Sequence, residues 1–529
     1  MRNCCCLAVF VLFALAPFVP AADKPAKAPA GPLDAEALAK RIDELLAVPL
    51  TKQGVPPAPL SDDAEFIRRV YLDLAGCIPS IIDVRDFLDD TRPNKRRIWV
   101  DMILDGTKPG RKGMRSDKDD AFTQHFANVW RAWILSRVNS ENAAALAPAL
   151  ETWLRERLKA NMPYDRIVRE MIASPGGNGG SPSVFYQVNE FKPENLAASA
   201  SRLFLGIKLE CAQCHDDRSG GSWSQGQFWS FAAFFAGVNP QNGQTGDKRE
   251  IDIPGKKKTA RARFLDDAEP DWKSGGNPRA VLSDWLVSAK NPYFARAAVN
   301  RLWSYFFGAG LTDPIDEQGA HNPPSHPELL DLLAEQFAEH KFDLKYLIRA
   351  LVASQAYQRT SVGNHPGQDD PRLFARMVIR GLSAEQLFDS LAEATEYEDN
   401  SPPSMNRFGN QENLSPRQKF LSRFAHQDKP TEAPTSILQA LYLMNGSFVA
   451  ERTSLEQNKT LATLADQTGA DGKRLDSLFL TVLSRKPTAA ESKRFLAYYQ
   501  RGGPSGDRRK ALADIFWALL NSAEFRLNH

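Results

Sequence analysis

Cysteine, excess charge and long apolar runs are all scarce in this chain of 529 residues. It contains six cysteines, three of them adjacent at positions 4–6, and its 66 basic and 64 acidic side chains leave a net charge of +2. So balanced a composition argues against binding to nucleic acid or to an anionic membrane through bulk charge. Beyond the N-terminus no apolar run is long enough to cross a bilayer, so we expect no stable membrane span.

Runs of alternating β-branched residues are also nearly absent, which argues against a large sheet. Apolar residues instead recur at helical spacing along most of the chain. We therefore expect a mostly α protein in which residues 33–238 and 278–529 form two helical domains. Residues 239–277 are rich in Gly, Lys, Asp and Pro, and we expect an irregular linker there with a short strand at 249–253.

The same spacing predicts individual helices that are separated by Pro and Gly residues. In the first domain they cover residues 33–47, 62–74, 81–88, 96–104, 122–135, 144–158, 164–172, 193–207 and 227–235. In the second domain they cover residues 280–289, 293–307, 327–339, 344–356, 384–392, 436–444, 475–483, 489–500 and 510–521. Polar loops are predicted at residues 176–183 and 400–415.

The N-terminal residues 1–22 are predicted to be a signal peptide. Arg2 precedes an apolar stretch at positions 7–18, and small residues follow at Ala21 and Ala22, where a signal peptidase would cut. A retained membrane anchor is the alternative, although the stretch is short for a bilayer span. Residues 23–32 are then expected to be a flexible tether. The mature protein would be periplasmic or secreted.

One motif carries chemical information, Cys211-Ala-Gln-Cys214-His215. In a Cys-x-x-Cys-His sequence the two thiols add to the vinyl groups of a haem, and the following histidine ligates the iron. We therefore expect haem c as the cofactor, attached at Cys211 and Cys214, with His215 as the metal ligand. Cys77 is the only other cysteine after the predicted signal peptide. Because this leaves an odd number of cysteines, three, the sequence does not predict a disulfide framework.

Other interpretations of the motif remain open. Cys211 and Cys214 without a cofactor would be a redox pair or a structural disulfide, although the βαβ context of a thioredoxin fold is missing. A zinc site would need more ligands nearby, and the acidic neighbours are Asp216 and Asp217.

Several residues outside the motif have candidate roles. His125 and Met171 are candidate distal ligands of the iron, although packing is the simpler interpretation of both. Phe228, Trp229, Phe231, Phe234 and Phe235 would wall a haem, but their helical spacing favours an ordinary core. His326 stands at a predicted helix start, where capping or packing is expected. Cys77 is most simply a small apolar residue in a turn.

Eight short stretches, spread over both predicted domains, match stretches of a known protein family. Three of them, residues 68–79, 204–216 and 231–235, resemble the planctomycete cytochrome-type domain. The other five, residues 298–303, 325–331, 354–359, 443–446 and 520–525, resemble the planctomycete-specific domain that usually follows it. The chain therefore resembles a secreted planctomycete family that contains these two domains of unknown function. The resemblance implies no defined activity, because the cytochrome label depends on the same Cys-x-x-Cys-His motif. Family members usually continue as Cys-His-Asp-His-Pro, whereas Asp217, Arg218 and Ser219 follow Asp216 here. If the second family histidine binds metal, this chain lacks that ligand.

These observations predict an exported c-type haem protein with an electron-transfer or other redox-linked activity and an unknown redox partner protein. One alternative is a non-redox extracytoplasmic binding or scaffold protein with a Cys211–Cys214 disulfide. Another is a hydrolase that acts on polysaccharide, for which no pair of carboxylates stands out among 64 acidic residues. The sequence does not decide whether the protein is an enzyme, and the second domain would dock a partner or recognise a substrate.

Overall fold

The computed structural model describes residues 31–107, 120–136, 140–174, 182–216, 223–239, 241–272, 276–398, 415–424, 444, 446–466 and 469–529. The predicted signal peptide lies outside these residues, as does most of the predicted tether. Most of the loops predicted at residues 176–183 and 400–415 also lies outside them, and so does all but the last residue of the helix predicted at 436–444.

The described structure is mostly helical with little sheet, which confirms the predicted mostly α fold class. The helices of the first half are α1 (Ala35–Gln53), α2 (Asp63–Val70), α3 (Ile81–Asp89), α4 (Lys95–Asp105), α5 (Ala121–Ile134), α6 (Ser140–Lys159), α7 (Tyr164–Ile172), α8 (Val184–Val188), α9 (Pro193–Ala200) and α10 (Gln225–Ala232). Each predicted helix of this half has a counterpart among them.

The second half of the chain is also mostly helical. Its helices are α11 (Pro278–Leu286), α12 (Phe294–Phe307), α13 (Pro327–Glu339), α14 (Leu344–Ala353), α15 (Gln355–Gln358), α16 (Ala384–Thr395), α17 (Pro416–Phe424), α18 (Ser447–Arg452), α19 (Lys459–Asp466), α20 (Asp471–Leu483), α21 (Ala489–Gln500) and α22 (Arg508–Leu520). The single helix predicted at residues 344–356 is divided at Ser354, whose extended backbone and side-chain hydroxyl cap α15.

Two short antiparallel strand pairs complete the described structure. Strand β1 (Glu250–Asp252) pairs with β2 (Thr259–Arg261), so the strand predicted at residues 249–253 is confirmed as part of a hairpin. Strand β3 (Arg380–Gly381) pairs with β4 (Leu527–Asn528) near the C-terminus.

Two predicted helices, at residues 62–74 and 193–207, end earlier than their apolar spacing indicated. Each is followed by one wider, π-helical turn, Tyr71–Ala75 after α2 and Ser201–Leu205 after α9. A glycine in the left-handed conformation closes each turn, Gly76 at φ 76° and Gly206 at φ 64°. Glycine adopts these angles without the clash of a Cβ, so the chain leaves the helix there.

The main hydrophobic core extends through both predicted domains. It includes Leu38 of α1, Phe126 of α5 and Trp303 of α12, all of them 0% exposed. Helix α12 is apolar around most of its circumference and is therefore buried on nearly all sides. Ile253 and Ala260 of the β1–β2 hairpin pack into the same core. Apolar packing is therefore continuous across the predicted linker.

A second core is formed by residues between 382 and 525, from α16 to the end of α22 and just beyond. Leu72 and Ile78 of the first half insert into it and are 0% exposed. Both cores therefore contain residues from both halves of the chain.

Two buried arginines of α2 connect the first half to the C-terminal residues. Arg68 donates hydrogen bonds to the backbone carbonyls of Val482 at 3.1 Å and Phe525 at 2.9 Å. Arg69 donates to the backbone carbonyl of His529 at 3.1 Å. Burial lowers the pKa of both guanidinium groups. A buried cation is costly unless its N–H groups are satisfied, so these carbonyls hold α2 against the C-terminal residues.

Asp73 is the centre of a second buried connection and is 0% exposed. Its carboxylate accepts from the Arg380 guanidinium at 2.9 Å, from the Tyr357 hydroxyl at 2.7 Å and from the Asn528 side-chain amide at 2.7 Å. All three partners belong to the second half of the chain. This cluster of Asp73, Tyr357, Arg380 and Asn528 is called the Asp73 joint below.

Candidate functional site

The Cys-x-x-Cys-His motif begins on a 3₁₀ turn, Glu210–Gln213, and Cys214 is the residue that caps its end. Ala212 is 1% exposed and anchors the turn in the main core. The side chains of Cys211 and Cys214 are exposed, and neither takes part in a disulfide. The turn therefore buries its small residue and presents both thiols to solvent.

Two side chains of α10 donate hydrogen bonds to the backbone at the end of this turn. The Gln225 side-chain amide donates to the carbonyls of Gln213 at 3.1 Å and Cys214 at 3.0 Å. The Trp229 indole N–H donates to the same Gln213 carbonyl at 3.0 Å. Gln225 and Trp229 are 6% and 3% exposed and lie four residues apart, on one face of the helix. These hydrogen bonds satisfy both carbonyls and hold the end of the turn against α10.

His215 follows the turn and is exposed to solvent. Its Nδ1 lies 2.9 Å from the backbone carbonyl oxygen of Asp216. A carbonyl only accepts hydrogen bonds, so the neutral ring carries its proton on Nδ1 and leaves the Nε2 lone pair free. The Asp216 carboxylate in turn accepts from the Gln225 backbone N–H at 2.8 Å, at the first residue of α10.

A loop of the second half of the chain supports the segment that leads into the motif. The Gln318 backbone N–H donates to the Gly206 carbonyl at 2.9 Å, and Ile207 forms a β-bridge with Glu317. The Lys208 ammonium donates to the Glu317 carboxylate at 3.1 Å, and this hydrogen bond raises the pKa of Lys208. Both halves of the chain therefore position the motif.

The candidate distal ligands lie inside the main core. His125 is 6% exposed and Met171 is 2% exposed. The His125 Nε2 lies 2.7 Å from the Tyr305 hydroxyl, and a Cβ added at Gly76 would stand 2.4 Å from His125 Nδ1. Burial lowers the pKa of His125 to about 4. Both residues are therefore surrounded by the core, as packing residues are. The motif residues Cys211, Cys214 and His215, in contrast, are exposed.

The downstream aromatic residues are also core residues. Phe228, Trp229, Phe231, Phe234 and Phe235 are between 0% and 3% exposed, in agreement with their helical spacing. In the part of the chain that the structure describes, they do not form an open wall beside the motif.

The two remaining candidates outside the motif have structural roles. His326 stands immediately before α13, 7% exposed, with its ring 5.6 Å from that of Phe374. Burial lowers the pKa of His326 to about 4. Cys77 is half-buried, is not in a disulfide, and follows the left-handed Gly76.

A hydrolase would need two neighbouring carboxylates that are free to act as acid and base. Glu151 of α6 and Glu385 of α16 both contact Arg131 of α5, Glu151 at 3.1 Å. Burial raises the pKa of Glu151, whereas Arg131 outweighs the effect of burial on Glu385 and lowers its pKa. Because one arginine pairs with both, the arrangement is that of an ion-pair bridge between helices and not of a free acid and base.

The motif residues fit the chemistry of haem attachment better than that of a zinc site. Among the described residues there is no group of three or more His, Cys, Asp or Glu side chains that could hold a metal ion. Cys211, Cys214 and His215 therefore do not converge on one point, as tetrahedral zinc requires. Covalent attachment of haem requires two reachable thiols and an imidazole nitrogen with a free lone pair, and all three groups are present.

Sequence reasoning located the motif but missed the residues that hold it. The Ser224 and Gln227 capping box at the start of α10 was a readable local signal for the helix that carries Gln225. Glu317 and Gln318 lie about a hundred residues along the chain from the motif, and no local pattern connects them with it.

No helix in the described part of the chain has the length and apolar composition of a membrane span.

Comparisons with known proteins agree with the two-part organisation. Residues 41–240 match the family model PSCyt2, described as a protein of unknown function (DUF1549). Residues 278–430 and 398–499 match the family model PSD1, described as a protein of unknown function (DUF1553). No curated protein and no solved structure matches the chain. The order of the two matches, together with the motifs quoted above, shows that the chain belongs to the planctomycete cytochrome-type two-domain family of unknown function, in which a PSCyt2 domain is followed by a PSD1 domain.

Proposed function

We propose that the protein is an extracytoplasmic c-type haem protein that transfers electrons, with haem c attached at Cys211 and Cys214. His215 would be the proximal ligand of the iron. One observation carries the proposal: α10 holds the turn that bears the two exposed cysteines, and the exposed imidazole of His215 follows directly with its Nδ1 at the Asp216 carbonyl.

The residues around the motif have defined tasks in this proposal. Gln225 and Trp229 keep the motif carbonyls bonded, so the turn retains its conformation when both thiols are consumed. The Asp216 carbonyl accepts a hydrogen bond from Nδ1 of His215, which orients the ring. When bound, haem supplies a one-electron redox couple. The exposure of the motif suits transfer to a partner at short range.

The location outside the cytoplasm is part of the proposal. It is supported by the apolar stretch and the small residues Ala21 and Ala22 at the N-terminus, which have the pattern of a cleaved signal peptide. Covalent attachment also suits an extracytoplasmic compartment, where a cofactor held only by non-covalent contacts would be lost by dilution.

The test is expression in a periplasm together with a cytochrome c maturation system. The denatured protein should retain its colour through organic extraction, and its mass should increase by one haem. Cys211→Ala and Cys214→Ala should each weaken covalent retention, because each removes one thioether linkage. Cys77→Ala is the matched control and should retain haem fully, since Cys77 lies outside the motif. A colourless protein with a Cys211–Cys214 disulfide would overturn the proposal.

A second candidate function is a cofactor-free dithiol/disulfide couple at the same two cysteines. The observation that favours it is the presence of two free, exposed thiols at Cys-x-x-Cys spacing on one turn. Redox titration of the haem-free protein would then give a two-electron transition that Cys214→Ala abolishes and Cys77→Ala leaves unchanged.

A further inference from the structure

The β1–β2 hairpin carries an unusual concentration of positive charge. Residues 248–263 include seven basic and two acidic side chains, an excess larger than the +2 of the whole chain. Arg261 pairs with Glu250 at 2.9 Å and Arg263 with Glu269 at 2.5 Å. Lys257 and Lys258, at the hairpin tip, are exposed and have no ion-pair partner among the described residues.

The hairpin tip is connected to the motif by a single side chain. Lys256 donates a hydrogen bond to the Gln225 side-chain carbonyl, and the same Gln225 amide donates to the Cys214 carbonyl at 3.0 Å. The hairpin is also anchored, because Ile253 and Ala260 are buried in the main core. The positive tip is therefore held beside the exposed thiols and is not a freely moving loop.

We propose that Lys256, Lys257 and Lys258 form a docking surface for an acidic protein that exchanges electrons at the motif. The inference rests on the proposed function, and it adds the chemistry of the partner. A small, fixed positive patch beside a reactive group steers an oppositely charged partner into a productive orientation and raises its association rate. A protein is favoured over a lipid surface or a nucleic acid because the excess charge is confined to one hairpin while the chain as a whole is nearly neutral.

The first test measures the electrostatic potential at the motif thiols and does not require haem. In a Cys77→Ala background, the reduced haem-free protein reacts with three disulfide reagents of different charge. These are dianionic 5,5′-dithiobis(2-nitrobenzoate), neutral 4,4′-dithiodipyridine and dicationic cystamine. Rates relative to the neutral reagent should favour the dianion, and the preference should shrink as salt rises from about 10 mM to about 500 mM.

Reversing the charge of Lys257 and Lys258 tests whether the hairpin causes the preference for the dianionic reagent. The Lys257→Glu/Lys258→Glu variant should lower the dianion-to-dication rate ratio roughly five-fold or more at low salt, because two nearby charges change sign. Lys473→Glu/Lys493→Glu is the matched control, with the same change of net charge on exposed residues of α20 and α21. An unchanged ratio in the hairpin variant, or an equal change in the control, would refute the docking surface.

The second test uses an acidic partner mimic on the full chain. Polyglutamate should bind the wild-type protein at low salt and should bind the Lys257→Glu/Lys258→Glu variant several-fold more weakly, whereas the control variant should bind normally. Vesicles of phosphatidylglycerol are the competing probe. Binding to vesicles without binding to polyglutamate would replace the acidic protein by a lipid surface and overturn the proposal.

The two proposals fail in different ways. Absence of covalent haem with a preserved hairpin effect would refute the proposed haem function and leave a docking surface beside a thiol site. Covalent haem without a hairpin effect would leave the haem function standing and refute the docking surface.

Discussion

Asp73→Asn tests whether the Asp73 joint holds the two halves of the chain together. The substitution keeps the shape of the side chain but removes its negative charge. Arg380 then stays beside Asp73 as a cation that is 13% exposed and has lost its counter-charge. Removing one partner of a buried ion pair typically costs about 3–5 kcal/mol, because the remaining charge is uncompensated. The hydrogen bonds from Tyr357 and Asn528 also lose a charged acceptor, so we expect the upper part of this range.

The matched control is Asp331→Asn, the same chemical change in a more exposed pair. Asp331 is 58% exposed and its partner Arg296 is 33% exposed. Pairs of this kind contribute about 0–1 kcal/mol. Unfolding in urea, followed by circular dichroism and by tryptophan fluorescence, gives the two free-energy changes and tests whether one transition describes both signals.

A double variant separates the unpaired charge from other causes of instability. Asp73→Asn/Arg380→Gln removes both charges, so it should recover part of the stability that Asp73→Asn loses. The reasoning would be refuted if Asp73→Asn were no less stable than Asp331→Asn. It would also be refuted if the double variant lost more unfolding free energy than the two single variants lose when their losses are added.

Three further predictions concern pH, proteolysis and processing. Burial lowers the pKa of His125 from its ordinary value of 6.5 to about 4 in the folded protein, so protonation of the unfolded chain destabilises the fold as pH falls through this interval. The loss attributable to His125 is about 3 kcal/mol, and denaturant midpoints at pH 7 and pH 4.5 should differ less in His125→Gln than in the wild type. Limited proteolysis should cut the β1–β2 hairpin only at its exposed tip, residues 256–258, because Ile253 and Ala260 are buried, and early cleavage elsewhere in residues 241–272 would instead support a flexible linker. N-terminal sequencing of the exported protein should begin at Ala22 or Asp23, and a mature chain that retains Met1 would contradict the signal peptide.

Much of the helical structure was predictable because it depends on local periodicity. The bounds of α7, α13 and α21 agree with the predicted residues at both ends, and apolar spacing alone located them. The π-helical turns after α2 and α9 were not predicted, because their apolar residues continue the helical spacing. The glycine that closes each turn gives no signal either, because a left-handed glycine also closes the ordinary helices α1 and α4.

The connections between the two halves could not be predicted from local patterns. Residues 239–277 contain few apolar residues, and this low apolar content predicted a linker. The few that are present, such as Ile253 and Ala260, nevertheless reach the main core. The Asp73 joint brings together residues that lie hundreds of positions apart, and a polar residue in a helix gives no sign of such partners.

The candidate site, too, has a part that the local sequence predicts and a part that depends on contacts with other segments of the chain. The motif identifies Cys211, Cys214 and His215 as chemically special from sequence alone. Their exposure, and the support of the turn by Gln225 and Trp229, depend on how α10 packs back onto the turn.

The shared main core has a consequence for how such a chain can change. Phe126 of the first half packs edge-to-face against Tyr305 of the second half, and Tyr164 stacks on Phe294, so each region presents a surface that only a complementary region can cover. A PSCyt2 region recombined with an unrelated partner would expose that surface and lose the counter-charges of the Asp73 joint. Selection on either region therefore acts on both, and the pair behaves as one heritable unit although two sequence families describe it.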